Sequence, residues 1–169
     1  MGPRQGRPDA PSRCNRKLMT PDPSIIRRME AHEWRYSQED PAALEALRFR
    51  IDQCGRRGAL ISYSDLVSGV EFRLPSLWPQ PHSIDVHAWS GLERKVIGDF
   101  LGCITTDSYR QHDFMASALV VGKHEDHPSD HFFEWMEFLH VLPNLHPDTV
   151  LRFWVEQVRA AHRHYLPPR

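Results

Sequence analysis

Between residues 58 and 133 the chain spells the same helix-start signal twice and then changes its apolar period, and this succession narrows the fold more than any other feature of the sequence. The apolar pair Leu60-Ile61 runs into Ser62, and Asp65 follows three residues later. A serine and a carboxylate at that spacing satisfy the free amides of a first turn, so a helix is predicted to open at Tyr63 and to stop at Gly69. Ser90-Gly91-Leu92-Glu93 repeats the signal and opens a second helix, with Leu92, Val96, Phe100 and Ile104 on one face. Residues 114–121 then read as a strand, closed by a turn over residues 122–126. Helix, helix, strand and turn predict an α+β core with a small antiparallel hairpin.

The flanks are predicted to be helical. Ser24 caps a short helix carrying Ile25, Ile26 and Met29 and continuing toward Trp34. Asp40-Pro41 opens a longer one, because the carboxylate accepts from first-turn amides and proline at the first helical position gives up an amide that has no partner there. Leu44, Leu47, Ile51 and Cys54 form its apolar stripe, and Gly55 or Gly58 ends it. After Gly69, residues 70–74 alternate as a short strand, and Pro75, Pro79 and Pro81 make the stretch up to His82 a loop. Residues 84–89 read as extended again, with Trp78 and Trp89 covering the core. Ser129 or Asp130 caps a helix bearing Phe132, Phe133, Met136, Leu139 and Leu142 that stops at Pro143. Asp148 caps the last one, whose inner face is Val150 or Leu151, Trp154, Val158 and Ala161.

Residues 1–23 carry Arg4, Arg7, Arg13, Arg16 and Lys17 against Asp9 and Asp22, with five prolines. Such a segment cannot bury enough surface to offset its ordering entropy and is predicted to be a disordered basic leader. Residues 24–169 are predicted to form a single domain, since 169 residues at 40% hydrophobic suffice for one core. The formal net charge of −1 shows no overall basic excess, so any surface for nucleic acid must be local. Arg48, Arg50, Arg56 and Arg57 lie off the apolar stripe, as a solvated face or a phosphate-contacting edge. Cys14, Cys54 and Cys103 have no paired spacing and read as reduced thiols of a cytoplasmic protein. No apolar run approaches the roughly 20 residues of a membrane span, and no membrane association is expected.

Few residues suggest catalysis. The densest polar cluster, residues 124–131, offers His124, Asp126, His127 and His131 as weak metal candidates. Pro128 argues against a helix that would put His127 and His131 on one face, and a turn leading into a helix cap accounts for the composition equally well. Ser117 lies in an apolar stretch without the Gly-x-Ser-x-Gly turn that exposes a nucleophile, Cys103 has apolar neighbours, and no glycine-rich phosphate loop is present. No cofactor and no catalytic residue are expected.

The order Ile61-Ser62-Tyr63-Ser64-Asp65-Leu66, then Arg94-Lys95-Val96-Ile97-Gly98-Asp99-Phe100-Leu101, then Met115-Ala116-Ser117-Ala118-Leu119-Val120-Val121 resembles the C-terminal winged-helix domain of alkylguanine-DNA alkyltransferases and the alkyltransferase-like proteins, over residues 60–133. In that family a tyrosine opens the first helix of the motif, an arginine near the start of the recognition helix fills the gap left by a flipped nucleotide, and Pro-Cys-His-Arg precedes two valines. Tyr63 and Arg94 fall on the first two positions. Ala116-Ser117-Ala118-Leu119 stands where Pro-Cys-His-Arg would be, so the alkyl-accepting thiol and its histidine are absent and alkyl transfer is not expected. The resemblance implies a winged-helix core flanked by N-terminal and C-terminal helices. It also implies DNA contact through Arg94 and Lys95 at the start of the second helix, Lys123 on the hairpin, and Tyr63 against a phosphate or an exposed base. Glu125, Asp126, Asp130, Glu134 and Glu137 would repel a duplex lying on their side.

The expected function is therefore non-catalytic nucleic-acid binding, with DNA as the ligand. A protein-interaction or oligomerisation module, pairing with itself or a partner through C-terminal helices that carry Trp135, Phe138, Phe153 and Trp154, is the alternative. A metal-dependent hydrolase or nuclease at residues 124–131 is the third reading.

Overall fold

The computed structural model describes residues 20–166. Its order is α1 (Pro23–Glu30), α2 (Arg35–Glu39), α3 (Pro41–Arg56), β1 (Ile61–Ser62), α4 (Tyr63–Val67), β2 (Glu71–Phe72), β3 (His82–Ser83), α5 (Gly91–His112), a 3-10 segment (Ala116–Leu119), β4 (Val120–Val121), α6 (Asp130–Phe138) and α7 (Pro147–Tyr165). The class is α+β, dominated by helices, with strands of two residues each. Residues 1–19, the bulk of the expected leader, lie outside the described residues. Asp22 and Pro23, counted above with the leader, belong to the folded unit: the Asp22 amide donates to the Tyr109 hydroxyl at 3.1 Å and its carboxylate accepts from the Ser24 amide at 2.7 Å.

Two helix starts move by two residues for one reason. Asp22, not Ser24, caps α1, and His146, not Asp148, caps α7; in each the next residue is a proline at the first helical position. Proline has the fixed φ a first turn needs and lacks only an amide that would be unpaired there, so the residue before it takes the cap. The Asp40-Pro41 start is observed as predicted, with the Asp40 carboxylate accepting from the Ala43 amide at 3.0 Å. α1 stops at Glu30, short of Trp34, and α6 stops at Phe138, with His140 at φ 62 turning the chain.

α5 is the axis of the molecule. It runs 22 residues from the Ser90–Glu93 capping box, in which both reciprocal bonds form, to Asp113 at φ 59. Of its predicted inner face Val96, Phe100 and Ile104 are fully buried, whereas Leu92 is 40% exposed because the first turn projects beyond the packed layer. Past that turn α5 is covered on most sides, by α1, α2, α3 and the 3-10 segment. One core cluster joins Leu47 and Ile51 of α3, Leu66 of α4, Phe72, and Val96 and Phe100 of α5. A second gathers Met29 of α1, Tyr109, Met115, Phe132 and Met136.

The strand predicted over residues 114–121 is confined to Val120-Val121, and residues 116–119 coil into the 3-10 segment. A short apolar run buried on all sides carries no period by which strand and helix can be told apart. The small side chains of Ala116, Ser117 and Ala118 let the backbone approach α5 closely, and the Ser117 hydroxyl accepts from Thr105 Oγ1 at 2.6 Å. The antiparallel hairpin expected at residues 122–126 does not form either. Val120-Val121 pairs in parallel with Ile61-Ser62, while the Gly122 amide closes the following turn on the His127 carbonyl at 2.9 Å. Pro128 has no amide for a returning strand, and Ser129 at once takes the N-cap position of α6, without a side-chain cap bond. The antiparallel pair lies instead in the proline-rich insertion, Glu71 against Ser83 and Phe72 against His82.

Candidate nucleic-acid interface

α4 is held at both ends by side chains. Ser62 Oγ accepts from the Asp65 amide at 3.0 Å, and at the far end one guanidinium nitrogen of Arg50 donates to the carbonyls of Asp65, Leu66 and Ser68 at 3.1, 2.9 and 2.7 Å. Those are the carbonyls a helix end leaves unpaired, which a cation satisfies best. Tyr63 is half-buried, and its hydroxyl accepts from the Ser129 amide at 3.1 Å and lies 3.4 Å from Ser129 Oγ. It therefore ties the start of α4 to the start of α6. The Tyr63 hydroxyl is thus occupied within the protein.

The start of α5 is more open. Ser90 Oγ accepts from the Glu93 amide at 3.1 Å and the Glu93 carboxylate accepts from the Ser90 amide at 2.7 Å. Glu93 is 6% exposed, and its other oxygen lies 2.8 Å from His82 Nε2, whose ring stacks on Trp78. Burial works to raise its carboxyl, but the Ser90 amide and His82 outweigh it and hold the pKa below the ordinary value. The insertion is thus clamped onto α5, and the positive end of the helix already faces a buried carboxylate. What remains to attract an anion is the pair of side chains that follows: Arg94 and Lys95 are exposed and have no hydrogen-bond or ion-pair partner among the described residues. Lys123, exposed on the turn after β4, also lacks an acidic partner but shares that turn with exposed Glu125 and Asp126.

Several other cations are committed within the protein. Arg48 bonds Asp107 at 2.9 Å and Glu45 at 3.2 Å, and Arg110 bonds Asp107 at 2.7 Å and Glu30 at 2.8 Å. Burial works against the charge on Arg48, yet Asp107 raises its pKa. Arg28 donates to the Leu139 carbonyl at 3.2 Å. Of the four arginines read above as one edge, Arg48 and Arg50 are therefore structural, while Arg56 and Arg57 have no side-chain partner among the described residues.

The metal candidates do not converge. Among the described residues no three His, Cys, Asp or Glu side chains gather as ligands. His127 Nδ1 lies 2.7 Å from the Pro128 carbonyl, and His131 is 3.8 Å from Glu134 one turn on.

Most of the aromatic stripe proposed for docking is half-buried. Trp135, Phe153 and Trp154 pack against the second core cluster, and Trp154 Nε1 donates to the Ala118 carbonyl at 2.9 Å; Phe138 alone, 68% exposed, faces out. No helix among the described residues is long and apolar enough to cross a membrane.

A small cleft that the sequence did not announce lies where α3, α5 and α7 meet. It measures about 150 Å³ and is lined by residues that include Arg48, Asp52, Asp107, His112, His164 and Tyr165. The rings of His112 and His164 are 4.0 Å apart. A nucleoside-sized ligand needs on the order of 300 Å³ or more, so the cleft does not house a flipped base.

Compared with protein-family models, curated proteins and solved structures, the chain matches none of them.

Proposed function

We propose that this protein is a non-catalytic DNA-binding protein of the cytoplasm, with an alkyltransferase-like winged-helix core that sets the first turn of α5 against the phosphate backbone. The observation that carries this reading is the state of Arg94 and Lys95: adjacent, exposed and unpaired among the described residues in the first turn of the most deeply packed helix, while Arg48 and Arg110 are ion-paired internally and Arg50 is spent on backbone carbonyls. A cation on a rigid helix loses less entropy when it meets a phosphate than one on a loop. The resemblance is supported by the parallel pairing of Ile61-Ser62 with Val120-Val121, which brings the tyrosine-led helix and the segment before the two valines into one unit. Tyr63 acts in this reading by positioning, and Lys123 adds a contact at the rim.

The absence of chemistry rests on the same region. Ser117, at the place of the family's reactive cysteine, is 5% exposed and bonded to Thr105. Burial raises the thiol pKa of both Cys54 and Cys103, the opposite of what a nucleophile requires.

The test is fluorescence anisotropy of labelled duplex and single-stranded DNA across a salt series. Binding is expected to weaken with salt, and Arg94→Ala/Lys95→Ala should lower the log–log slope by about two units, near one for each phosphate left without its cation. No affinity at low salt, or an unchanged slope in the double variant, overturns the reading.

A further inference from the structure

α7 packs against the protein along one side only. Of its 19 residues Ala161 alone is fully buried, and its inner side is tied down by Trp154 on the Ala118 carbonyl and by Gln157 on the Met115 amide. The opposite side carries Asp148, Leu151, Arg152, Val155, Glu156 and Arg159, which line a shallow open groove of about 390 Å³. Val155 is half-buried and the other five are exposed, Leu151 by 56%.

The order of these six residues is specific. At about 100° a residue, Asp148 and Arg159 fall on the crest of the face, Arg152 and Glu156 on one flank, and Leu151 and Val155 on the other. Laid against a second α7 that runs the opposite way, the crest sets Asp148 on Arg159. One flank then sets Arg152 on Glu156, and the other sets Leu151 on Val155. The midpoints of the three pairs all fall on residues 153 to 154. A single two-fold axis perpendicular to the helix at that level therefore makes every pair at once, and makes each twice, because it brings a flank onto the same flank of the other copy. A parallel arrangement would set each charge against itself. Sliding the antiparallel one by about a turn sets Arg152 on Arg159 in one direction and Glu156 on Asp148 in the other.

Charges at these spacings also suit a solvated helix, in which Arg152 would pair with Asp148 or Glu156 four residues away. No such pair closes on α7 among the described residues. Nor would pairing within one helix require the apolar residues to share the symmetry of the charges.

We infer that the outer face of α7 is a dimer interface, on which a second copy of this chain packs antiparallel, with Leu151 against Val155 and ion pairs Asp148–Arg159 and Arg152–Glu156 across the axis. It goes beyond the DNA reading and uses none of its residues. Six residues a side are fewer than the roughly 20 to 30 of a stable complex, so the association is reversible and salt-dependent, and is expected to be populated at protein concentrations on the order of 100 µM.

Sedimentation velocity of the full chain without DNA, across a concentration series at low and at high salt, tests it, with thermal unfolding run beside it. The wild type is expected to pass from monomer to dimer as concentration rises, less readily at high salt. Arg152→Glu and Glu156→Arg each set like charges across the axis twice. Each is expected to dimerise at least about tenfold more weakly, with a melting temperature close to that of the wild type. Mixing the two variants restores opposite charges between copies while each chain keeps its like-charged pair within the helix, so recovery of the dimer in the mixture assigns the effect to the interface. A wild type that stays monomeric throughout, a dimer that neither variant weakens, or a mixture as dissociated as its components overturns the interface.

Discussion

The ring of Tyr165, the last residue of α7, lies flat against the bare backbone of Gly55 near the end of α3, and there is no room between them for a single added carbon. Trp34 meets Gly102 of α5 in the same way. In both pairs a glycine inside a helix accepts the propensity penalty so that an aromatic ring from a distant element can dock on its axis. The two junctions fasten the first and last parts of the chain to the central helices.

Gly55→Ala therefore tests the packing directly. On an open helix this change would stabilise by up to about 1 kcal/mol. Here the methyl group would overlap the Tyr165 ring, and overpacking is expected to cost on the order of 1–3 kcal/mol in urea unfolding. In a Tyr165→Ala background the clash is gone, so the sign should reverse and Gly55→Ala should be neutral or stabilising. The same sign in both backgrounds would show that the ring does not constrain the glycine.

A second prediction concerns Asp40, which is 4% exposed and uses both carboxylate oxygens, one on the Ala43 amide at 3.0 Å and one on the Arg73 amide at 2.7 Å. It caps α3 and pins the insertion after β2 at once. Asp40→Ala is expected to cost about 2–4 kcal/mol, the loss of a cap plus a desolvated amide without an acceptor. Ser62→Ala, which removes a cap alone, should cost about 1 kcal/mol. Equal losses in the two variants would mean that the Arg73 bond contributes nothing.

How far the sequence carries depends on whether the signal is local. The Ser90–Glu93 box, the Asp40-Pro41 start and the apolar faces of α3 and α7 are written within a few residues of where they act, and all are observed. The 3-10 segment is not, because what coils residues 116–119 is their fit against Thr105 and Ser108 of α5 and Trp154 of α7. The same division runs through the candidate sites. The exposure of Arg94 and Lys95 could be read from helical spacing. That Arg48 and Arg50 are spent on Asp107 and the end of α4 depends on pairings 59 and 16 residues apart along the chain.

A third prediction concerns pH. Burial first, and then the neighbouring His112, hold the His164 pKa below the ordinary histidine value, with Asp52 opposing; Arg48, Asp107 and Tyr165 line the same cleft. The folded state therefore favours neutral His164. Its contribution to stability is complete above about pH 6.5, where the unfolded chain is also neutral, and is lost as pH falls through the lowered folded value. Melting temperatures between pH 7.5 and 5 should fall less steeply for His164→Gln than for the wild type. Parallel curves would show that the pair does not couple to folding.

Ser117 provides the last test, because it stands where the resembling family carries its reactive cysteine. It lies inside the 3-10 segment with Thr105 Oγ1 donating to its hydroxyl at 2.6 Å, and Trp154 and Gln157 of α7 bond the flanking backbone at Ala118 and Met115, both within 3 Å. Three elements thus cover the position, and the burial that raises the Cys54 and Cys103 thiols would act on a thiol here too. Ser117→Cys is expected to react with a thiol reagent in the native protein at least tenfold more slowly than the same chain in denaturant, and to accept no alkyl group from an alkylated guanine duplex. Cys14→Ala, Cys54→Ala and Cys103→Ala in the same chain leave residue 117 as its one thiol. Rapid native labelling at residue 117 would mean that α7 opens from the 3-10 segment in solution, and would return the pocket, though not its chemistry, to the family pattern.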